Sequence, residues 1–400
     1  MTREIGIGVV GLGWMGRAHS SAYKRTRERF PDLSLRPRLV AAADPVLANR
    51  EAAVAQFGFD RASESFEELL ADPEIDAVSI CSPNFLHRDF AVAAASAGKP
   101  FWIEKPMGTS VEQSREIHDA ARAADVATAV GFNYRHVPAV DHIRALVLSG
   151  RLGRITNIRS WFIADYASSS EGPLTWRYDR ERAGSGVIGD LLSHGADLVQ
   201  HILSDRITGV TADSGIFIAD RPIPTRMGVG HGGFEVGDER GDVGNEDWVA
   251  ALGRTASGVR VTMESSRVAR GHRSDYAVEV FGTEGSARWS FTRMNEFEVQ
   301  IGDGGLEHGY TTVLASSGHG QYASFQPGPG IPMSFDDLKT IEAARFLSDI
   351  ADGARTAPNS ADGLSAAEVC QAVVDSASSR MWQEVPAVEG TTFGGPAGTP

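Results

Sequence analysis

The sequence predicts a doubly wound α/β domain followed by an α+β domain built on a large, mostly antiparallel, open sheet. Two observations predict the first domain: short apolar runs alternate with helix-forming segments, and a glycine-rich turn directly follows the first run. One predicts the second: beyond residue 131 the alternation stops and strand-like segments follow one another. The expected domains are residues 1–131 and 132–385, with 386–400 as a flexible tail.

Composition excludes several classes of protein. The 400 residues carry 38 basic and 52 acidic side chains, a formal net charge of −14, which disfavours nucleic acids and membrane surfaces as partners. No run reaches the roughly 18 apolar residues of a spanning helix, and no apolar secretory segment precedes the first strand. Two cysteines, Cys81 and Cys370, are too few for a disulfide framework. We therefore expect a cytoplasmic protein.

The elements of the first domain follow in a regular order. Its strands are short runs rich in Val, Ile and Ala, as expected for a parallel sheet that is buried on both faces. Pro31 ends the first helix, and residues 31–37 are expected to form a connector. The expected strands are 5–10, 38–43, 76–81, 101–103 and 126–130, and the expected helices are 16–30, 45–57, 85–97 and 110–124.

Ligands of such sheets bind beyond the carboxyl ends of the strands, so the residues there are candidate site residues. The first strand runs into a G-x-G-x-x-G turn made of Gly11, Leu12, Gly13, Trp14, Met15 and Gly16. Gly11 would permit the tight turn, Gly13 would let a pyrophosphate approach, and Gly16 would let the helix pack on the strand. An ordinary glycine-rich turn is the alternative, but the position between strand and helix favours dinucleotide binding.

The second strand ends at Asp44, whose carboxylate could accept both ribose hydroxyls of NAD and repel the 2′-phosphate of NADP. Asp44 follows Gly16 by 28 residues rather than the usual ~20, which the connector would explain. Arg50 could bind a phosphate, so NADP stays open as the less favoured cofactor. Asp44 could also cap the helix that begins at Pro45.

Polar residues also follow the third and fourth strands. Ser82 and Asn84 follow the third strand, with His87 in the first turn of the next helix, and Glu104 and Lys105 follow the fourth. A lysine in a partly dry cleft could exchange a proton with an alcohol or ketone, although most lysines simply lie at the surface.

The second domain is expected to be rich in strands and to close with two helices. Residues 166–182, including Trp176 and Arg177, lack periodicity and are expected to form a loop beside the cleft, where the indole could stack on an apolar ligand face or merely pack. Residues 225–245, rich in glycine and acidic groups, are expected to form a mobile lid or arm. The expected strands are 155–162, 207–218, 248–252, 260–267, 276–281, 287–291 and 298–301, and the helices are 336–352 and 365–383.

Taken together, these motifs resemble the Gfo/Idh/MocA oxidoreductases, which act on sugars and polyols with nicotinamide cofactors. Besides the glycine turn and Asp44, the resemblance covers Pro-Asn-x-x-His at 83–87 and Glu-Lys-Pro at 104–106. It continues with Gly-Phe-Asn-Tyr-Arg at 131–135, with a glycine-led Asp-x-x-x-His helix at 184–194, and with a strand-turn-strand at 280–286. Several separated motifs in the same order are more specific than any one of them.

The resemblance implies that Lys105 is the catalytic lysine and that Asp190 and His194 complete the site. Positions four apart on a helix point the same way, and an imidazole could take an alcohol proton as hydride leaves. Asp190 could instead cap its helix, and His194 could be a structural histidine. The implied cofactor contacts are Gly11, Gly13, Trp14, Met15, Gly16, Asp44, Ser82, Asn84, His87, Glu104, Lys105 and Asn133, and the implied substrate contacts are Lys105, Tyr134, Arg135, Trp176, Arg177, Asp190 and His194.

Asp197 and His201 continue the stripe of Asp190 and His194 along one helix, which is a pattern that zinc or manganese sites also use. One helical stripe over three turns cannot close around a single ion, so no metal is expected.

The implied function is oxidation of a secondary hydroxyl of a sugar, anhydrosugar, glycoside or cyclic polyol to a ketone by hydride transfer to NAD. His19-Ser20, Ala-Gly-Ser-Gly at 183–186 and the segment 218–247 most resemble the branch of levoglucosan and glucoside 3-dehydrogenases, with inositol 2-dehydrogenases as the alternative. An NAD-binding sensor without turnover is the alternative of another class. Family members commonly pair through the open sheet face, so a homodimer or homotetramer is expected.

Overall fold

The computed structural model describes residues 3–226, 234–303 and 308–394. The chain divides into two compact units, Met1–Asn133 with Ser334–Leu364, and Tyr134–Met333 with Ser365–Pro400. The first boundary lies two residues beyond the expected one. The segment 334–364, which the sequence analysis assigned to the second domain, belongs to the first unit.

The first unit contains a six-stranded parallel sheet with the strand order β3-β2-β1-β4-β5-β6. Its order reverses between β1 and β4, which confirms the doubly wound fold and places ligands at the carboxyl ends of these strands. The strands are β1 Arg3–Val10, β2 Leu35–Ala43, β3 Arg61–Ser63, β4 Ala77–Ile80, β5 Phe101–Ile103 and β6 Thr128–Val130.

The helices of the described residues fall mostly where the sequence predicts them. They are α1 Trp14–Arg29, α2 Leu47–Ala52, α3 Phe66–Ala71, α4 His87–Ser96, α5 Val111–Ala123, α6 Pro138–Leu148, α7 Arg180–Ala183, α8 Ser193–Leu203, α9 Phe335–Asp352 and α10 Ser360–Ser379. None of the described helices is long and apolar enough to cross a membrane.

Three features of the first unit differ from the sequence expectation. β2 begins inside the expected connector 31–37, because the buried Leu35 pairs its backbone with β1. β3 and α3 were not expected, since three residues of strand and six of helix are too short to show a periodicity. A π-helical turn, Ala53–Phe57, ends the helix expected over 45–57.

α9 belongs to the first unit because its apolar face completes the core under the parallel sheet. Ala343, Phe346 and Leu347 pack in one buried cluster with residues of β1 and α1. The helix begins with a capping box formed by Ser334 and Asp337, which satisfies backbone N–H groups of its first turn. Apolar burial of this kind is the main force that keeps a helix docked.

The second unit contains a nine-stranded sheet in which β7 and β12 are parallel and the other neighbouring strands are antiparallel. α6 and α8 pack on one face of this sheet. The strands, in sheet order, are β16 Thr311–Leu314, β15 Glu296–Ile301, β14 Gly285–Ser290, β13 Asp275–Gly282, β7 Ile155–Ile163, β12 Arg260–Ser266, β11 Trp248–Thr255, β8 Ile207–Gly215 and β17 Gln383–Glu384.

Two expectations about irregular segments are corrected by the structure. Residues 235–242 form β10 (Glu235–Asp242), which pairs with β9 (Asp220–Arg226) in a two-stranded hairpin, whereas residues 227–233 lie outside the described chain. This hairpin lacks apolar alternation and is joined by polar contacts such as the Arg240–Asp220 ion pair, so periodicity could not reveal it. The expected tail 386–400 is ordered at Phe393, which is buried, and residues 395–400 are not described.

Candidate active site

The three positions of the turn after β1 are glycine for different structural reasons. Gly11 has φ +83°, and a Cβ there would lie 2.6 Å from the carbonyl oxygen of Cys81. A Cβ on Gly16 would lie 1.9 Å from the carbonyl oxygen of Gly11. Gly11 and Gly16 are therefore required by the turn and by the packing of α1. A Cβ on Gly13 would meet no atom within 4 Å, so this position faces open space.

Two orphaned polar atoms lie beyond the carboxyl ends of β4 and β6. Among the described residues, the buried Oγ of Ser82 and Nδ2 of Asn133 have no hydrogen-bond partner. A buried polar group without a partner costs free energy unless a ligand or water satisfies it. Together with the open space at Gly13, these atoms fit a polar dinucleotide at this edge of the sheet.

The carboxylate of Asp44 connects the end of β2 with the glycine turn by hydrogen bonds. Its Oδ2 accepts the N–H of Leu12 at 2.7 Å, and its Oδ1 accepts the N–H of Val46 at 2.8 Å and the side-chain amide of Asn49 at 3.2 Å. α2 begins at Leu47 with Val46 as its N-cap residue, so Asp44 is not the cap itself. The carboxylate is 6% exposed and lies beside the turn, as a residue that binds the adenosine ribose must.

The guanidinium of Arg50 is already hydrogen-bonded and ion-paired within the first unit. Its guanidinium donates to the carbonyl oxygens of Asp44 at 2.9 Å and Pro45 at 3.1 Å, and it pairs with Glu64 at 2.6 Å. This arrangement uses the side chain that could otherwise have bound the 2′-phosphate of NADP.

Glu104 lies in a buried charge cluster at the end of β5, and its predicted contact with the cofactor stays a prediction. Its Oε1 accepts from Nζ of Lys339 at 2.6 Å and contacts Nε2 of His19 at 2.9 Å. Lys339 also pairs with Glu342 at 3.0 Å, and the ring of His19 stacks on Trp102 with the centroids 3.4 Å apart. We call Glu104, Lys339, Glu342 and His19 the Glu104 cluster.

The pKa values in the Glu104 cluster follow from burial and pairing. Burial opposes ionisation of Glu104, but the Lys339 ammonium and His19 hold the pKa of that carboxyl far below its usual value. Burial likewise opposes the charge on Lys339, yet the two carboxylates raise its pKa. Burial lowers the pKa of His19 to about 4, so this imidazole is neutral near pH 7.

His87 connects the residue after β4 with the segment after β5 through its two ring nitrogens. The ring is 1% exposed, its Nδ1 lies 2.9 Å from the carbonyl oxygen of Pro106, and its Nε2 lies 2.9 Å from that of Ser82. Burial lowers the pKa of His87. Both nitrogens face backbone oxygens within the unit, and a contact of His87 with the cofactor stays a prediction. The peptide bond between Lys105 and Pro106 is cis.

In the second unit, Asp190 lies in a π-helical turn, Ile188–Leu192, that leads into α8. Asp190 is therefore inside the helical segment and is not an N-cap. The carbonyl oxygen of Glu246 accepts from the N–H of Val187 at 3.1 Å, and its Oε1 accepts from the N–H of Ile188 at 3.0 Å. A Cβ on Gly186 would lie 2.0 Å from the Glu246 carbonyl oxygen, which explains the glycine before Asp190.

His194 is held in an aromatic cluster. Its ring packs edge-on against Tyr134 at 4.9 Å between centroids, with Phe162 at 6.0 Å, and its carbonyl oxygen accepts from the hydroxyl of Tyr276 at 2.9 Å. Tyr134 is 7% exposed and also packs against Tyr276. The structure thus places Tyr134 as a packing partner of His194, which differs from the expected substrate contact.

Arg135 is internal as well, although the sequence suggested a substrate contact. Its guanidinium is 2% exposed, donates to Oδ2 of Asp197 at 2.8 Å and to its Oδ1, and donates to Oγ1 of Thr392 at 2.7 Å. Asp197 is therefore paired with a cation. Among the described residues, no group of three or more His, Cys, Asp or Glu side chains could hold a metal ion.

The segment expected to be a loop, 166–182, contains a 3-10 turn at Trp176–Tyr178 and the start of α7. The guanidinium of Arg177 stacks on the ring of Trp176, 4.5 Å from its centroid. At the start of this loop, the hydroxyl of Tyr166 donates to Oδ2 of Asp190 at 2.7 Å. Sequence reasoning missed this contact and the role of Glu246, because neither residue belongs to a spaced motif.

Each unit therefore brings together part of the predicted site. The glycine turn, Asp44, Ser82, Asn133 and Lys105 lie at the strand ends of the first unit. Trp14 and Met15 begin α1, and Asn84 begins the 3-10 turn before α4. Asp190 and His194 lie on one helical segment of the second unit. The meeting of Lys105 with Asp190 and His194 stays a prediction.

Comparison with known proteins decides the family. Residues 5–132 match the model of an oxidoreductase family with an NAD-binding Rossmann fold, and residues 140–288 match the GFO/IDH/MocA C-terminal domain. The chain belongs to the Gfo/Idh/MocA oxidoreductase family. This confirms the family resemblance, the fold class and NAD as the cofactor of this oxidoreductase.

Similarity within the Gfo/Idh/MocA family extends over nearly the whole chain. The levoglucosan dehydrogenase of Pseudarthrobacter phenanthrenivorans is 32% identical over 391 residues, 96% of this chain and 99% of that protein. The inositol 2-dehydrogenase of Rhizobium meliloti is 27% identical over 92% of this chain and 96% of its own. A solved levoglucosan dehydrogenase in complex with NADH and levoglucosan has a TM-score of 0.89 at 31% identity, covering 96% of this chain and 100% of that chain.

Proposed function

We propose that this chain is an NAD-dependent dehydrogenase that oxidises a secondary hydroxyl of a sugar, with anhydrosugars of the levoglucosan type as the first substrate class to test. The observation that carries the proposal is the similarity to a levoglucosan dehydrogenase over 96% of the chain. The chain also retains Lys105 at a strand end and the Asp190–His194 pair on one helical segment. Glycosides and free sugars fall within the same proposal.

In the proposed reaction, Lys105, Asp190 and His194 surround the reacting carbinol. NAD supplies the hydride acceptor. His194 or Lys105 accepts the hydroxyl proton while the hydride leaves the carbon, so the alcohol loses two electrons and two hydrogens and becomes a ketone. Asp190 accepts a hydrogen bond from a substrate hydroxyl and orients the sugar. The aromatic packing around His194 fixes the plane of its ring.

Trp176 and Arg177 are proposed to contact the sugar from the loop after β7. The stacked pair offers an apolar face and a cation close together, which suits a polyhydroxylated ring. The internal contacts of Tyr134 and Arg135 favour an indirect role for both.

Inositol oxidation is the second candidate, supported by the Rhizobium meliloti relative at 27% identity. Levoglucosan and inositols are both cyclic polyols, so the same site chemistry serves either. An NAD-binding sensor would keep the cofactor fold without turnover, and the retained Lys105, Asp190 and His194 argue against it.

We also propose that copies of the chain associate as a dimer or tetramer through the open face of the nine-stranded sheet. Leu252 of β11 is 57% exposed and Trp248 is half-buried, while α6 and α8 pack on the opposite face. A face with such side chains is better buried against a second copy. A cytoplasmic location is proposed from the need for NAD and from Cys81 and Cys370, which are both free thiols.

The function is tested by following the absorbance of reduced nicotinamide with anhydrosugars, glucosides and inositols, using NAD and NADP side by side. We expect turnover with NAD and an anhydrosugar. Lys105→Met is expected to lower kcat by a factor of about 100 to 10,000 while the Kd of NAD stays within twofold, because the lysine serves proton transfer. Lys24→Met, on the exposed face of α1, is the matched control with no expected effect.

Two results would contradict this proposal. Tight NAD binding without turnover of any compound would favour the sensor. A loss of NAD binding in Lys105→Met as large as its loss of kcat would remove the proton-transfer role. Asp44→Ala should show the opposite of Lys105→Met. It should raise the Kd of NAD at least tenfold and change the KM of the sugar much less.

A further inference from the structure

We propose that Tyr166 is a positioning residue of the active site, acting through Asp190. This inference rests on the proposed function, which places Asp190 beside the substrate. The hydroxyl of Tyr166 donates to Oδ2 of Asp190 at 2.7 Å. A hydrogen bond from a hydroxyl to a carboxylate is short and strong, and it fixes the direction in which the carboxylate points.

Tyr166 is presented from a backbone that is bonded on both sides. Before it, the N–H of Ala164 donates to the carbonyl oxygen of Ser266 at 2.8 Å, and the carbonyl of Ala164 accepts from Ala269 at 3.0 Å. After it, the N–H of Ala167 donates to the carbonyl oxygen of Arg267 at 2.9 Å. The phenol therefore projects from a segment with little freedom of its own.

Two arginines reinforce this segment from the side. Arg221 of β9 is fully buried and donates to the carbonyl oxygens of Ala167 at 2.5 Å and Ser169 at 2.7 Å. Arg221 and Arg267 both stack on the ring of Tyr178, with their guanidinium carbons 4.3 and 4.6 Å from its centroid. The β9–β10 hairpin thus supports the loop that carries Tyr166, and this gives a structural reason for the segment 218–247.

The geometry assigns Tyr166 an indirect role. A phenol has one proton, and here that proton is directed at the carboxylate, so it is not directed at the substrate. Tyr166 as a residue is 39% exposed. Asp190 lies in a π-helical turn, and the hydrogen bond from Tyr166 helps to set the direction of its carboxylate before the sugar binds.

The test is a double-mutant cycle with Tyr166→Phe and Asp190→Asn, measured as kcat/KM with NAD and the best sugar of the panel. We expect Tyr166→Phe to lower kcat/KM about tenfold to a hundredfold, as for a hydrogen bond to a charged group. In the Asp190→Asn background the same change should cost clearly less, about twofold to fivefold, because the hydroxyl then donates to a neutral amide oxygen and no longer to a carboxylate. The Kd of NAD should stay within twofold in every variant.

Tyr310→Phe is the matched control, because Tyr310 is 36% exposed and its hydroxyl accepts from Ser286 rather than contacting the site. Its kcat/KM should stay within twofold. Where Asp190→Asn leaves too little turnover, the same cycle is read from the Kd of levoglucosan for the enzyme–NADH complex by calorimetry.

The outcomes separate this inference from the proposed function. A Tyr166→Phe enzyme within twofold of the wild type would overturn the inference while Asp190→Asn still loses activity. An equal loss in both backgrounds would also overturn it, because Tyr166 would then act independently of Asp190. Full activity of Asp190→Asn would instead refute the placement of Asp190 in the proposed function.

Discussion

Lys339→Met tests the buried charge cluster behind Lys105. Lys339 is 1% exposed and shares its ammonium between Glu104 at 2.6 Å and Glu342 at 3.0 Å. Methionine keeps the length of the side chain but leaves two buried carboxyl groups without their cation. Removing one partner of a buried ion pair costs about 3–5 kcal/mol, a large part of the ~5–15 kcal/mol that stabilises a domain.

The free energy of unfolding that Lys339→Met loses should depend on pH, because His19 lies beside Glu104. In the wild type the pKa of His19 is about 4 against an ordinary 6.5, so folding excludes a proton and stability falls by about 3 kcal/mol as pH drops through this window. Burial is the main cause of the lowered pKa, and Lys339 adds to it. Without Lys339, His19 can stay protonated in the folded state and replace the missing cation. The difference in free energy of unfolding between the wild type and Lys339→Met should therefore be largest near pH 8 and become smaller toward pH 5.

The assay is urea unfolding near pH 8, 6.5 and 5, with hydrogen exchange of α1 and α9 peptides to locate the loss in the first unit. Lys24→Met should stay within about 0.5 kcal/mol of the wild type, as an exposed lysine does. Adding His19→Gln to Lys339→Met should reduce the narrowing to the part that comes from protonation of Glu104, because burial raises the pKa of that carboxyl once Lys339 is gone. A deficit below about 1 kcal/mol near pH 8 would refute the reasoning about the cluster, and a constant deficit in all three buffers would refute the part assigned to His19.

Three glycines give further predictions. Gly16→Ala should destabilise the first unit and abolish NAD binding, because its Cβ would lie 1.9 Å from a backbone oxygen; Gly13→Ala should leave the melting temperature unchanged and weaken NAD about tenfold, since its Cβ would fill only the open space of the turn. Melting temperature and fluorescence titration of NAD check both, and equal melting temperatures would contradict the contrast. Gly186→Ala should lower kcat/KM at least tenfold with NAD binding kept, because a Cβ there would displace the segment before Asp190 from Glu246. Steady-state kinetics decide this, and unchanged kcat/KM would count against it.

The parallel sheet was predictable because its signals are local. Five of its strands are apolar runs next to helix-forming segments. The glycine turn lies directly between the first strand and the first helix. The contribution of α9 to the same unit was not predictable, because it depends on apolar contacts between residues more than 300 positions apart, such as Tyr23 with Phe346 in one core cluster. Spacing along the chain carries no information about such contacts.

The site was predictable where a motif fixes the residue type. The glycine turn was located in this way, and motifs also point to Lys105, Asp190 and His194, whose roles stay predictions. The residues that hold them were not, because Tyr166, Glu246 and Lys339 act through single long-range contacts. A tyrosine at the start of an aperiodic loop has the same sequence context whether it binds a carboxylate or faces solvent.

The Glu-Lys-Pro motif shows why neighbouring residues of one motif can differ in role. Glu104 directly follows β5, and Lys105 lies in the bend that comes next. Glu104 turns inward, where Lys339 neutralises it and where a Cβ on Gly131 would lie 2.7 Å from its carboxylate. Lys105, the next residue of the motif, is the one for which proton transfer is proposed. Because Glu104 and Lys105 are neighbours in the chain, we expect damage to the Glu104 cluster to affect catalysis as well as stability.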